Sequence, residues 1–256
     1  MPTRDTVLII PAAGAGTRLQ SPIPKVLSEV NGRPMIDHLL HRYRAVVQSV
    51  VLVVHPSFEL DVKRHVREIA PWLNVQYASQ PEPTGMLDAI LLAADGAKRS
   101  AAERVWITWC DQIGVHPNTV SMLNRLSHER ADAAVIFPTA RQELPYIHLD
   151  RDDSGRITRI RQRREGDAMP EVGESDMGLF SLSAEAYFNL LPQFGLAATA
   201  SASTRERNFL PFMPWLAQRG HAVVTFASTN PLEAIGVNTP DDRRQLEAYL
   251  RELEQR

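Results

Sequence analysis

One cysteine, Cys110, stands alone among 256 residues. An internal disulfide is thereby excluded, and a reducing compartment suits the chain. Charge of one sign is also lacking: 28 Lys and Arg against 30 Asp and Glu leave a net −2, which gives no general attraction to nucleic acid or to an anionic membrane. Any anion chemistry must be local. No apolar run approaches membrane-spanning length and no signal-like segment opens the sequence, so the expected address is the cytoplasm. Two familiar phosphate loops are missing as well. The Gly-Lys-Ser/Thr of a Walker loop is nowhere to be found. Gly14-x-Gly16 runs into Leu19 where a dinucleotide fold wants a third small residue, and the next strand ends in His55-Pro56 rather than an acid.

What is present begins with residues 7–10, Val-Leu-Ile-Ile, an aliphatic run of the kind that fills a buried parallel strand. Directly after it come Ala12, Ala13, Gly14, Gly16 and Thr17. Glycines here let backbone N–H groups approach an anion with no Cβ between them. Arg18 and Lys25 add fixed positive charge, so the segment reads as a phosphate-handling turn. Further strand-like runs fall at 50–54, 75–78, 105–109 and 133–137, separated by helical patterns at 35–47, 58–69, 86–94 and 119–126. Such alternation predicts an α/β fold with a mostly parallel sheet flanked by helices. Ligands in such sheets bind beyond the carboxyl ends of the strands.

The second half is less regular. Residues 146–149 and 157–161 flank a turn-rich Asp-Arg-Asp-Asp-Ser-Gly and predict a hairpin; 178–182 and 223–226 read as strands, 209–216 as a further element, and 240–254 as an amphipathic helix. Residues 195–204 are small and polar, which predicts a mobile loop. At 44% hydrophobic the chain can bury one large core, and a single domain is expected. Its first part, 1–140, would bind nucleotide, and its second, 141–256, would form a β-rich substrate cover with the C-terminal helix.

Three places could carry chemistry beyond the first loop. The apolar strand Trp106-Ile107-Thr108-Trp109 delivers a carboxylate, Asp111, at its end; such an Asp serves either as a helix cap or as a ligand. Asn238 stands just before Pro240, where by itself it reads as an N-cap. Gln80, within Gln-Pro-Glu-Pro-Thr-Gly85, offers an acceptor and two donors, matching a pyrimidine edge with a carbonyl and an N–H. Asp150, Asp152 and Ser154 mimic half of an EF-hand, but Arg161 stands where its closing Glu belongs, so a hairpin turn is expected. The arginines between 156 and 164 read as edge-strand protection. The eight histidines show no metal-site spacing.

The run from Pro11 to Arg18, followed by Pro24-Lys25-Val26-Leu27 and Gly32-Arg33-Pro34-Met35-Ile36, resembles the signature of sugar-1-phosphate nucleotidyltransferases, including uridylyl- and thymidylyltransferases. The resemblance implies a Rossmann-like nucleotidyltransferase fold. It also implies that Arg18 neutralises pyrophosphate, that Lys25 contacts the reacting phosphates, and that Asp111 and Asn238 hold Mg²⁺, with Gly236-Val237-Asn238 matching that family's Gly-Val-Asn. Ala12, Ala13, Gly14, Gly16, Thr17, Gln80 and Gly85 would bind the nucleotide. The sugar side departs from the pattern: Tyr146 is kept, but Ile147 replaces a glycine, and Gln162 and Asp176 stand for a Glu and an Asn, with Gly178 following. Residues 204–210 keep only Glu206 of the corresponding family stretch.

The implied partners are a nucleoside triphosphate, UTP first and dTTP next, and a sugar-1-phosphate, with no nucleic acid and no membrane; a homo-oligomer is left open. Two other readings stand beside this one. A cytidylyltransferase acting on a non-sugar alcohol phosphate would share the loop and the metal Asp, and a non-catalytic nucleotide sensor would explain the altered sugar side.

Overall fold

In the computed structural model, residues 6–14 and 23–254 are described. Gly16, Thr17 and Arg18 lie outside the described residues. Strand β1 (Thr6–Pro11) is followed by a small ribbon of β2 (Glu29–Val30) and β3 (Arg33–Pro34), helix α1 (Met35–Tyr43), β4 (Ser49–Val54), α2 (Glu59–Ile69) and β5 (Asn74–Ser79). Next come α3 (Met86–Leu92), α4 (Ala94–Arg99), β6 (Arg104–Thr108), α5 (Pro117–Glu129) and β7 (Val135–Glu143). The helical pattern at 86–94 is thus two short helices, meeting at Ala93.

β1 pairs in parallel with β4 and with β6, and β4 with β5. All residues of β1, β4 and β6 are buried, and they alternate between the two faces of the sheet. Val7 and Ile9 join Val51, Val53, Val105 and Ile107 in one core. Leu8 and Ile10 join Val50, Leu52, Val54 and Trp106 in the other. Continuous aliphatic strands of this kind need cover on both faces, which the helices supply.

The second half completes the same sheet. β8 (Ile147–Arg151) and β9 (Ile157–Gln162) form the expected hairpin, a separate two-stranded sheet. At its turn Asp152 accepts from the N–H groups of Ser154 and Arg156, both at 3.0 Å. β10 (Val172–Asp176) and β11 (Leu179–Ser183) both run antiparallel to β7, and β11 is inserted between β6 and β7. After α6 (Leu191–Ala197) and α7 (Phe212–Gln218), β12 (Val223–Ala227) pairs in parallel with the other side of β7, and α8 (Pro240–Glu254) closes the chain. The sheet is therefore mixed with a parallel core.

β10 and β11 lie on one side of β7, because Thr139 and Val135 each also pair with β12. They are one strand interrupted at Met177–Gly178, where Gly178 has φ +61. The element β10 has no separate hydrophobic signature in the sequence. Its residues, Val-Gly-Glu-Ser-Asp, are held by backbone pairing to β7.

Candidate active site

The parallel strands β1, β4, β5 and β6 end at one rim, so the segments after Pro11, Val54, Ser79 and Thr108 are neighbours there. At β1 the ladder runs one residue further, with the Ala12 N–H donating to the Val53 carbonyl at 2.7 Å. Ala12 is buried, Ala13 is half-buried and Gly14 is exposed. A Cβ on Gly14 would meet none of the described residues within 4 Å.

Lys25 starts a single helical turn, Lys25–Leu27, which wholly buried Val26 anchors in the core. Its ammonium donates to Asp111 Oδ2 and, at 3.0 Å, to Asn238 Oδ1. Residues 86 and 213 positions apart from Lys25 in sequence thus converge on one positive charge. Asp111 does not cap a helix: α5 starts at Pro117 and is capped by His116, whose ring Nδ1 accepts from the Asn118 N–H. Nor is Asn238 the cap of α8. Thr239 and Asp242 cap reciprocally, the Asp242 N–H donating to Thr239 Oγ1 at 3.2 Å and the Thr239 N–H to Asp242 Oδ2 at 2.7 Å. The Asn238 side chain is left to meet Lys25 through its oxygen and Gly236 through its nitrogen, at 3.2 Å.

Holding these groups in place is a buried brace that sequence reasoning overlooked. Glu233 is 3% exposed and its carboxylate accepts from the His116 N–H, Thr119 Oγ1 and Ser228 Oγ. Buried Gln112 donates to the Glu233 carbonyl at 2.6 Å, and the Val237 N–H donates to the Asp111 carbonyl at 3.1 Å. The loops carrying Asp111 and Asn238 are thereby tied together by backbone and buried side chains. Nothing in the local sequence marks Glu233 as buried, whereas Thr239-Pro240-Asp241-Asp242 is a legible helix start.

Two hard oxygens converging on a cation position are the donor set that suits Mg²⁺. That ion keeps several waters and takes one or two protein oxygens beside substrate phosphates. Among the described residues there is no cluster of three or more His, Cys, Asp or Glu.

Beyond β5, buried Gln80 extends the rim through its N–H to the Val54 carbonyl. Its amide nitrogen donates to Thr84 Oγ1 at 3.3 Å and to the Gly85 carbonyl at 3.2 Å, so both amide N–H groups are used within the loop. Gly85 has φ +120 and touches the Arg207 backbone, with which a Cβ would collide. Glycine is required there by packing as well as by conformation.

Beside the β8–β9 hairpin, Tyr146 is half exposed, and its carbonyl accepts from the Arg163 N–H at 3.0 Å, next to buried Gln162. Asp176 is buried and accepts from the Gly178 N–H at 2.8 Å. Burial pushes its carboxyl up to about 6, against the pull of that N–H. Gly178 packs on Trp109, whose own N–H donates to the Gly178 carbonyl at 3.0 Å, so the Asp176 turn adjoins the Asp111 loop. Arg163 donates to the carbonyls of Leu144 and Pro145, while Arg164 pairs with Glu165 and Glu206. Arg156, Arg159 and Arg161 pair with Asp152, Asp167 and Asp150, which neutralises the basic run.

A model of the MobA-like NTP transferase domain matches residues 8–177, a span that holds Lys25 and Asp111 and stops before Asn238. The chain is 31% identical over 256 residues to a protein of Pelotomaculum thermopropionicum named Bifunctional protein GlmU, covering 96% of this chain and 52% of that protein. Proteins of the same name from Latilactobacillus sakei and Xanthobacter autotrophicus are 28% and 29% identical, covering 97% and 98% of this chain and 51% and 54% of theirs. The chain spans about half the length of these relatives. A solved structure from Bacillus anthracis, provisionally described as a glucose-1-phosphate thymidylyltransferase in complex with a sucrose, superposes with a TM-score of 0.77 at 15% identity, covering 96% of both chains. That likeness shows the fold. The family model matches well over half of the sequence, and the chain belongs to the MobA-like NTP transferase family, a nucleotidyltransferase related to these proteins.

Proposed function

We propose that this chain forms a nucleoside-diphosphate sugar and pyrophosphate from a pyrimidine nucleoside triphosphate and a sugar-1-phosphate, with UTP preferred and dTTP next. A phosphate oxygen of the sugar-1-phosphate attacks the α-phosphorus, the bond from that phosphorus to the bridging α,β oxygen breaks, and pyrophosphate leaves in line. Two polyanions must be brought together, so positioning and charge neutralisation dominate the chemistry. The observation that carries this reading is the convergence of the Lys25 ammonium, the Asp111 carboxylate and the Asn238 amide oxygen at the rim of the parallel strands.

Lys25 would meet the reacting phosphates, and Arg18 the departing pyrophosphate. Asp111 and Asn238 would hold Mg²⁺, which supplies neutralisation of the triphosphate when bound. Ala12, Ala13, Gly14, Gly16 and Thr17 would present backbone N–H groups to the phosphates. Gln80 Oε1 would accept from the N3–H that uracil and thymine carry and cytosine lacks, and Gly85 would shape that loop. Tyr146, Gln162, Asp176 and Gly178 would line the sugar side.

Pyrophosphate release with UTP, dTTP and CTP, each against N-acetylglucosamine-1-phosphate and glucose-1-phosphate, tests the assignment. Release is expected with UTP above the others. Dominance of CTP would overturn the base assignment, and nucleotide binding with no release from any pair would favour a sensor over an enzyme.

A further inference from the structure

The base loop and the sugar-side hairpin come from different halves of the chain, yet one segment grips both. At its C-terminal end, the Arg207 N–H donates to the Thr84 carbonyl at 2.8 Å, and the Arg207 carbonyl accepts from the Leu87 N–H at 3.1 Å. Gly85 lies directly against this peptide. The Arg207 guanidinium adds a 2.7 Å ion pair to Asp88 in the first turn of α3 and donates to the Gly195 carbonyl at the end of α6. Gln80 is bonded to Thr84 and Gly85, so the candidate base contact is one hydrogen bond removed from this anchor.

At the other end, Glu165 gathers the same segment onto the sugar-side turn. Its carboxylate accepts from the Ser201 hydroxyl, from Thr204 Oγ1 at 3.1 Å and from Asn208 Nδ2 at 3.1 Å. Arg164 bridges Glu165 to Glu206. Gln162 and Tyr146 lie at the start of that turn, through the Arg163 N–H to Tyr146 carbonyl bond. Serine, threonine and asparagine donors fill a carboxylate that is only 14% exposed, and Ser201, Thr204 and Arg164 hold its pKa below the usual range against the desolvation that raises it. The small polar stretch that predicts a loose loop is therefore stapled at both ends.

We propose that the 201–208 segment couples nucleotide binding to sugar-phosphate binding, with Arg207 as the positioning residue for the base loop and Glu165 as the positioning residue for the sugar side. The inference rests on the functional reading above. A ligand that orders the Tyr146–Gln162 side fixes the Glu165 turn, which fixes 201–208 and, through the Arg207 peptide, Gly85 and Gln80. Coupling of this kind is reciprocal: each substrate raises the affinity of the other by the same factor.

The test is isothermal titration of a UTP analogue with a non-hydrolysable α,β bridge, in Mg²⁺, with and without saturating N-acetylglucosamine-1-phosphate or glucose-1-phosphate. For the unaltered chain the analogue is expected to bind about 5- to 10-fold tighter when a sugar phosphate is present. Glu165→Gln is expected to bring that factor below about 2 while analogue affinity alone stays within about twofold, and the double substitution Ser201→Ala, Thr204→Val repeats the cut from the opposite side, so the test survives if one variant folds poorly. An undiminished factor in both variants, or no factor in the unaltered chain, overturns the coupling while transfer itself stands. Absence of pyrophosphate release from the unaltered chain with every substrate pair overturns the functional reading and the coupling with it.

Discussion

Lys25 and Asp111 are both about seven-eighths buried at their side chains and face each other at the rim. A pair this enclosed is a poor device for stability, since desolvation offsets much of the attraction. Under the proposed function, an anionic substrate would draw the Lys25 ammonium away from this pair. Lys25→Ala and Asp111→Ala are therefore expected to lower turnover by about 10²- to 10³-fold, with the fold retained. Steady-state kinetics alongside circular dichroism check this, and wild-type turnover in either variant would remove the residue from the mechanism.

Asp176 makes the opposite bargain. Its carboxyl, raised to about 6 by burial, holds a proton in the fold at pH values where the unfolded chain has released it. The folded state binds more protons at this site through that window, so the contribution of Asp176 to stability is fully present below about pH 4 and is lost as pH rises through about 6, on the order of 2–3 kcal/mol. An amide keeps the acceptor for the Gly178 N–H and does not titrate. Asp176→Asn is thus expected to stabilise the protein at pH 8 and to do little near pH 4. Urea denaturation at the two pH values measures it; a benefit independent of pH would point to repacking instead.

Elements deliver these residues through their ends. α8 begins on a Thr239–Asp242 cap that frees the Asn238 side chain, and α3 begins at a glycine with φ +120 pressed against another peptide. Gly85→Ala combines a disfavoured backbone conformation with a collision that no side-chain rotation relieves. It is expected to cost about 2–4 kcal/mol and to raise the KM for the nucleotide more than it lowers kcat. Chemical denaturation and nucleotide titration give the two numbers. A variant as stable as the parent would mean that the Arg207 segment gives way easily.

At the scale of the molecule, the two halves share one sheet. β11 covers the free edge of β6 and separates it from β7, while β12 covers the far side of β7. Phe180 on β11 packs at 5.2–5.3 Å from Phe137, Trp109 and Phe209, joining both halves in one aromatic cluster. A fragment ending at residue 140 would expose that edge and the underside of this cluster. It is expected to lack a cooperative unfolding transition, whereas residues 1–256 show one; thermal melts of the two decide it. A cooperative fragment would make 1–140 a domain in its own right.

The parallel core was legible because local chemistry writes it plainly: aliphatic runs such as 7–10 and 50–54 and amphipathic spacing such as 58–69 need no distant partner to be recognised. The placement of Lys25 and Asp111 just beyond apolar runs was legible for the same reason, since residue type and strand position are both local. β10 was not, because Val-Gly-Glu-Ser-Asp becomes a strand only through the free edge of β7. The stapling of 195–204 was invisible too, as the hydroxyls of Ser201, Ser203 and Thr204 donate to Glu165, 36 residues away or more.

Sequence by itself thus determined the class of sheet and the kinds of charge at its rim. Which oxygens meet which cation was decided only by the tertiary structure: an ammonium recognises two oxygens 86 and 213 residues away by distance, and distance is set by how the strands stack rather than by their order along the chain.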